Sequence, residues 1–248
     1  MIQLGNKPQN ESRIFINSSS RLGGRAGVGG GEHFQETDKN EKLQITPNLA
    51  ILQLQKIERS IPKEHKSMRL AADFEEPWQI LISTMLSAQT RDETTIPIAE
   101  ELFKKYPSPK KLSQAKLSDI KKIIKKVNFY KTKAKNVLAT SKMISERGLS
   151  NKIEELIKFP GVGRKTANVF LAVAHKKPAI GVDTHVAFLS GILGWTKNKD
   201  KHKIEKDLEN LFPRNYWISI NYILVRFGRV YSTRKKQVEK LRELGIIK

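Results

Sequence analysis

Phe159-Pro160-Gly161-Val162-Gly163-Arg164-Lys165-Thr166-Ala167, with Val182-Asp183-Thr184-His185 after it, is the stretch that organises this chain. An apolar helical segment leads in, a Gly-x-Gly turn follows, and a second helix starts at the Arg-Lys pair. Two glycines one residue apart let the backbone turn sharply and approach a ligand without Cβ interference. The helix that follows presents free N–H groups and a partial positive charge, which suits a phosphate. Lys165 therefore lies beside an expected anion site. The spacing from Lys165 to Asp183 holds an apolar run long enough for a helix and a reversal. It permits an amine and a carboxylate to converge.

Composition points the same way. The 248 residues carry a formal net charge of +21, an excess that favours a polyanionic partner, most commonly nucleic acid. A heavily charged but merely solvated surface is the plainer reading of the same number. Hydrophobic residues are 38% of the chain, low for one folded throughout. There is no cysteine, which excludes disulfides, thiolate nucleophiles, cysteine zinc sites and cysteine-ligated iron–sulfur clusters. His33, His65, His175, His185 and His202 are scattered without metal-ligand spacing, so no metal is expected. No apolar run approaches the roughly 20 residues of a membrane span, and no secretory pattern opens the chain.

Outward from the centre, residues 1–45 read as a disordered tail, with Ser18-Ser19-Ser20, Gly23-Gly24 and Gly29-Gly30-Gly31 giving little to bury. Ile51, Leu54, Ile57 and Ile61 then share a helical face that Pro62 ends. Pro77 opens Trp78 to Leu86, apolar nearly all round and so expected at the centre of a helical domain. Further helices are expected from Ile98 to Tyr106, after a Ser118 cap, from Ala134 to Gly148, and after an Asn151/Glu154 capping box. More stripes run through Ile204–Phe212 and Trp217–Phe227, with a weaker one at Val238 and Leu241. No period-2 strand pattern of useful length occurs. The expected fold class is all-α.

Helix, Gly-x-Gly, helix is the helix-hairpin-helix pattern, which grips a DNA backbone through N–H groups and reads no sequence. Lys165 has two readings within it. One is another phosphate-contacting or solvated lysine. The other is a nucleophile, which requires a neutral amine; partial burial, the helix N-terminus and Arg164 all disfavour its charge. Asp183 divides similarly, between capping the helix at Thr184 and working in a site. His185 reads as structural.

At these residues the chain resembles the endonuclease III family of helix-hairpin-helix DNA glycosylases. The matching motifs are Leu86-Ser87-Ala88-Gln89, Phe129-Tyr130-Lys131-Thr132-Lys133-Ala134, Phe159 to Val169, and Val182-Asp183-Thr184-His185. The resemblance implies a bifunctional DNA glycosylase and apurinic/apyrimidinic lyase acting on oxidised pyrimidines in double-stranded DNA. Lys165 would attack C1′ and Asp183 would help activate it and stabilise the charged sugar. Gly161, Val162, Gly163, Arg164, Thr166 and Lys133 would bind DNA, and Gln89 and Phe129 would fill the gap left by the everted base. On the residues alone, Phe129 reads as a core aromatic.

The same resemblance implies two helical domains with the active site in the cleft between them. Residues 67–177 would form a six-helix domain with the hairpin, and residues 46–66 with 178–248 the second. The family usually ends in four cysteines on a [4Fe–4S] cluster. Here Ser232 stands near the first position and a lysine-rich end follows, so no cluster is expected. A monomer in the cytoplasm or nucleoid, or in a nucleus or organelle if the host is eukaryotic, is the expected setting. Two alternatives stay open: a non-catalytic helix-hairpin-helix DNA-binding protein, and a related glycosylase for oxidised guanine or a mismatch.

Overall fold

The computed structural model describes residues 45–248; the expected tail, apart from Ile45, lies outside them. The described residues hold thirteen α-helices, one 3-10 helix and no strand. The all-α expectation is met. The helices are α1 (Pro47–Ser60), α2 (Lys63–Lys66), α3 (Pro77–Leu86), α4 (Asp92–Lys105), α5 (Pro109–Ser113), α6 (Leu117–Ile123) and α7 (Tyr130–Arg147). There follow α8 (Ile153–Leu156), α9 (Arg164–Ala174), α10 (Thr184–Ile192), α11 (Lys201–Leu211), the 3-10 turn Arg214–Tyr216, α12 (Trp217–Val230) and α13 (Arg234–Glu243).

Apolar side chains collect in two clusters. The first runs from Ala72 to Ala179 and is built on α3 to α9. Its axis is α3, on which all but Pro77 and Gln79 are buried. The buried hydroxyls of Ser83 and Thr84 bond back to carbonyls of their own helix, at Gln79 and Ile80, so they carry no unpaired polar group into the core. Leu81, Ile82 and Leu86 are fully enclosed, and each contributes about 1.5–3 kcal/mol by leaving water. The second cluster joins α1 to α10, α11, α12 and α13 through residues such as Leu54, Ile57, Val186, Leu208, Leu224 and Leu241.

The chain leaves the second core after Ile61, joins the first at Ala72, and returns at Ala179-Ile180-Gly181-Val182, with Ala179 in the first core and Ile180 in the second. The buried Asn168 amide donates to Ile180 O at 2.9 Å, and the Asn221 amide donates to Gly181 O at 2.5 Å. A Cβ on Gly181 would stand 2.7 Å from Val169 Cγ2, so only glycine lets this crossing lie so close on α9. That approach brings Asp183 to the start of α9.

Several local expectations need correction. Helix α4 begins at Asp92, not Ile98, and Pro97 lies inside it. Near the N-terminal end a proline deletes a single ladder bond, and the buried face of Thr95, Ile98 and Leu102 holds the helix together. Ser118 is not a cap: Lys116 holds that position and α6 starts at Leu117. Asn151 and Glu154 form no capping box, because α8 starts from Lys152, whose side chain makes no cap bond. Phe129 is not a core aromatic, being 66% exposed.

Candidate active site

The hairpin is built from within. Gly161 takes φ +80°, and a Cβ there would fall 2.6 Å from Asn136 Nδ2. Pro160 O accepts from the Thr140 hydroxyl at 2.9 Å, and the Val162 N–H donates to Phe159 O at 3.0 Å, closing the turn against α7. Gly163 is the N-cap of α9 and has no side chain to occupy the N–H groups of the first turn. Gly161, Gly163 and Arg164 are exposed, so the turn and the start of α9 lie at the surface.

The side chains expected on DNA divide. Val162 is buried, and Thr166 is only 7% exposed, so any contact they make comes from the main chain. The Arg164 side chain stays 42% exposed, yet its guanidinium is engaged by the protein. Its Nε and Nη2 donate to Glu205 Oε2 and Oε1 at 2.9 and 2.8 Å, and the Glu205 side chain is 5% exposed. This fork ties α9 of the first core to α11 of the second, and it raises the Arg164 pKa. Gln89 and Phe129 are both exposed, both left-handed at φ 57° and 58°, and adjacent in space: the Asn128 amide donates to Gln89 O. Lys133 ends on oxygens of the Gln89 turn.

Lys165 sits one residue inside α9, on the wall of a cavity of about 100 Å³. Asp183 lies on the same wall system, with Asp92, Arg229, Ser87, Asn221 and Tyr222. Burial pushes the Lys165 ammonium below the ordinary lysine value of 10.5. Asp183 and Asp92 push it back up, while Arg229 and Lys201 push it down. Asp183 also caps α10, its Oδ1 accepting from the His185 and Val186 N–H groups at 2.9 and 2.8 Å. Cap and cavity readings hold together, because the bond to the cap fixes where the charge stands. The His185 ring is pressed against Gly228 of α12, and its burial lowers its pKa against the pull of Asp183.

Asp92 and Arg229 also line the cavity, and the sequence does not single them out. Asp92 Oδ2 accepts from the Ala71 N–H at 2.8 Å and forms an ion pair with Arg229 Nη2, also at 2.8 Å, joining the start of α4 to α12. Nothing in the local pattern marked Arg229. Asp92 lay within the polar run after α3, a weak signal at best.

The family model for the HhH-GPD superfamily of base excision DNA repair proteins matches residues 82–214, from α3 through α11. The chain belongs to that superfamily. Endonuclease III of Thermotoga maritima is 40% identical over 176 residues, covering 70% of this chain and 79% of the relative. That of Synechocystis is 36% identical over 180 residues, covering 71% and 82%. Among solved structures, a trapped endonuclease III–DNA covalent intermediate aligns with TM-score 0.70 at 30% identity, covering 77% of this chain and 90% of that one. A non-covalent endonuclease III–DNA complex aligns with TM-score 0.71 at 26% identity.

This superfamily member departs from the cluster-bearing pattern at its end. A [4Fe–4S] cluster is held by thiolates, and the chain has none, so its residues do not fit the group. After Ser232 comes α13, capped by the Thr233 hydroxyl. Its buried Gln237 donates to Gly228 O and Tyr231 O at 3.1 and 2.8 Å, and Leu241 enters the second core. Among the described residues no cluster of His, Asp or Glu could hold a metal, and no helix is long and apolar enough to cross a membrane.

Proposed function

We propose that this chain is a base-excision repair DNA glycosylase with an apurinic/apyrimidinic lyase step, acting on oxidised pyrimidines in duplex DNA. One observation carries the proposal: Lys165 and Asp183 share a cavity in which burial favours the free amine. A module that only held DNA would need no such lysine. Family membership, the endonuclease III relatives and the DNA-bound structural neighbours support the same reading.

In this reading the damaged nucleotide leaves the stack and enters the cavity. The Lys165 amine bonds to C1′ as the glycosidic bond breaks, and the base departs with the bonding electrons. The nitrogen gives up its proton, the sugar ring opens, and a Schiff base remains. Loss of a C2′ proton then expels the 3′ phosphate oxygen by β-elimination, and water releases the enzyme. Asp183 stabilises the positive charge that grows on the sugar. The base would lie in the remainder of the cavity, between Leu70–Asp73 and Tyr222, the aromatic of the lining. Backbone N–H groups around Gly161, Gly163 and Thr166 would hold the phosphates, with Phe129 and Gln89 in the vacated stack. These steps need no metal or cluster, and the proposed setting is the cytoplasm or nucleoid, or a nucleus or organelle in a eukaryote.

Borohydride trapping tests this. Abasic or thymine-glycol DNA should give a covalent adduct with the parent protein and none with Lys165→Ala. Absence of an adduct from the parent on both substrates would reject the lyase step.

A further inference from the structure

Lys133 is half-buried at the first turn of α7, and its ammonium lies at the end of α3. Nζ donates to Leu86 O at 2.7 Å, to Ala88 O at 2.5 Å and to Thr90 Oγ1 at 3.3 Å. An ammonium has three protons and no more, so none remains for a phosphate. Burial pushes its pKa down to about 8, so the three-proton ammonium is the form present below that pH.

The bonds span two turns far apart in sequence. One holds Gln89 and the other Phe129, and each residue is left-handed without being glycine. Such a conformation costs on the order of 1–3 kcal/mol and persists only where the surroundings over-determine it. Here they do. The Asn128 N–H donates to Thr90 Oγ1 at 3.2 Å, the Asn128 amide donates to Gln89 O, and the Lys133 N–H donates to Phe129 O at 3.0 Å. Lys133 thus grips Phe129 with its backbone and the Gln89 turn with its side chain. The exposed lysines around it, Lys125, Lys126, Lys131 and Lys135, stay available to phosphates.

We infer that Lys133 is a positioning residue and not a phosphate contact: it locks the Gln89 and Phe129 turns together so that both side chains enter the duplex at one fixed separation. This rests on the proposed insertion of those two side chains. Its consequence is that eviction of the damaged base depends on a lysine that never touches DNA.

The test compares Lys133→Met, Phe129→Ala and their combination in the full chain. The readouts are kcat/KM on thymine-glycol duplex, fluorescence of a 2-aminopurine facing the lesion, and the salt dependence of binding. Lys133→Met should lower kcat/KM by about 10- to 100-fold, the scale of a small misplacement away from the chemistry. It should also reduce the fluorescence change. The slope of log K against log salt should stay at the parent value, whereas loss of a phosphate contact would flatten it by about one unit. The double variant should be no worse than Phe129→Ala alone, since the two act through one event. Thr90→Val with Asn128→Ala removes the neighbouring ties and should shift both optical and kinetic readouts the same way, covering a Lys133→Met that folds poorly. A flattened salt slope, or a parent-like kcat/KM in Lys133→Met beside a damaged Phe129→Ala, overturns the lock and leaves insertion standing. A parent-like Phe129→Ala overturns insertion, and the lock with it.

Discussion

Replacing Asp183 in two ways separates its two jobs. Its Oδ1 holds two N–H groups of α10, and its charge stands beside Lys165 in the cavity. Asp183→Asn keeps a side-chain oxygen for the cap, because Asn ranks with Asp there, and removes the charge. Asp183→Ala removes both. Losing the cap costs typically about 1 kcal/mol, and for a folded body of this size ~1 kcal/mol lowers Tm by about 2–4 °C. Thermal unfolding should therefore leave Asp183→Asn close to the parent and place Asp183→Ala about 2–4 °C below it. Turnover should fall in both, on the order of 10²–10³ for loss of a charge aimed at the transition state.

The pH profile supplies the sharper sign. In the proposed reaction only neutral Lys165 attacks, so single-turnover trapping on abasic DNA should rise with pH and level off above the Lys165 pKa, which burial holds below 10.5. Asp183 favours the ammonium and raises that pKa. Taking its charge away in Asp183→Asn should move the plateau to lower pH while lowering its height. DNA affinity should stay within a few-fold of the parent. A parent-like rate in Asp183→Asn, or a plateau displaced to higher pH, would refute the electrostatic argument. Equal melting of the Asn and Ala variants would refute the cap.

Three further outcomes follow from other contacts. Tyr222, 45% exposed on the cavity wall, should matter to the base and not to the sugar, so Tyr222→Ala should slow lesion release while sparing cleavage of a preformed abasic site; equal losses would remove it from base recognition. Gly228→Ala would set a Cβ 2.1 Å from His185 Nδ1, and such overpacking costs roughly 1–3 kcal/mol, read as a lower Tm that His185→Ser relieves. Arg164→Met strands the buried Glu205 carboxylate and should destabilise by about 1–3 kcal/mol in urea unfolding; Arg164→Met with Glu205→Met should recover most of it, and failure to recover would mean that Arg164 itself, not the stranded acid, carries the loss.

Much of the fold was legible because it is written in local terms. The α1 stripe, the all-apolar α3 and the Gly148 stop each follow from spacing within one turn or two, and the structure keeps them. The hairpin at Gly161 and the Asp183 cap were legible for the same reason. Where the structure departs from the local pattern, a local rule met a tertiary one. The stripe from Ile98 marked only part of α4, and burial on either side of Pro97, at Thr95 and Ile98, carries the helix back to Asp92. Phe129 looked like core, yet the tie to the Gln89 turn holds its backbone left-handed and its ring in solvent.

Chain order alone settled the helical class, the glycine turn before α9, the absence of thiolate chemistry and the two residues to watch, since each depends on residue type and short spacing. The partners of those residues came only with the packed molecule. That Arg164 answers Glu205, that Arg229 meets Asp92, and that Lys133 spends its protons on Leu86, Ala88 and Thr90 are facts about groups about 40 or more positions apart. No local pattern encodes them, because a charge finds its partner only after the cores have closed and water has gone.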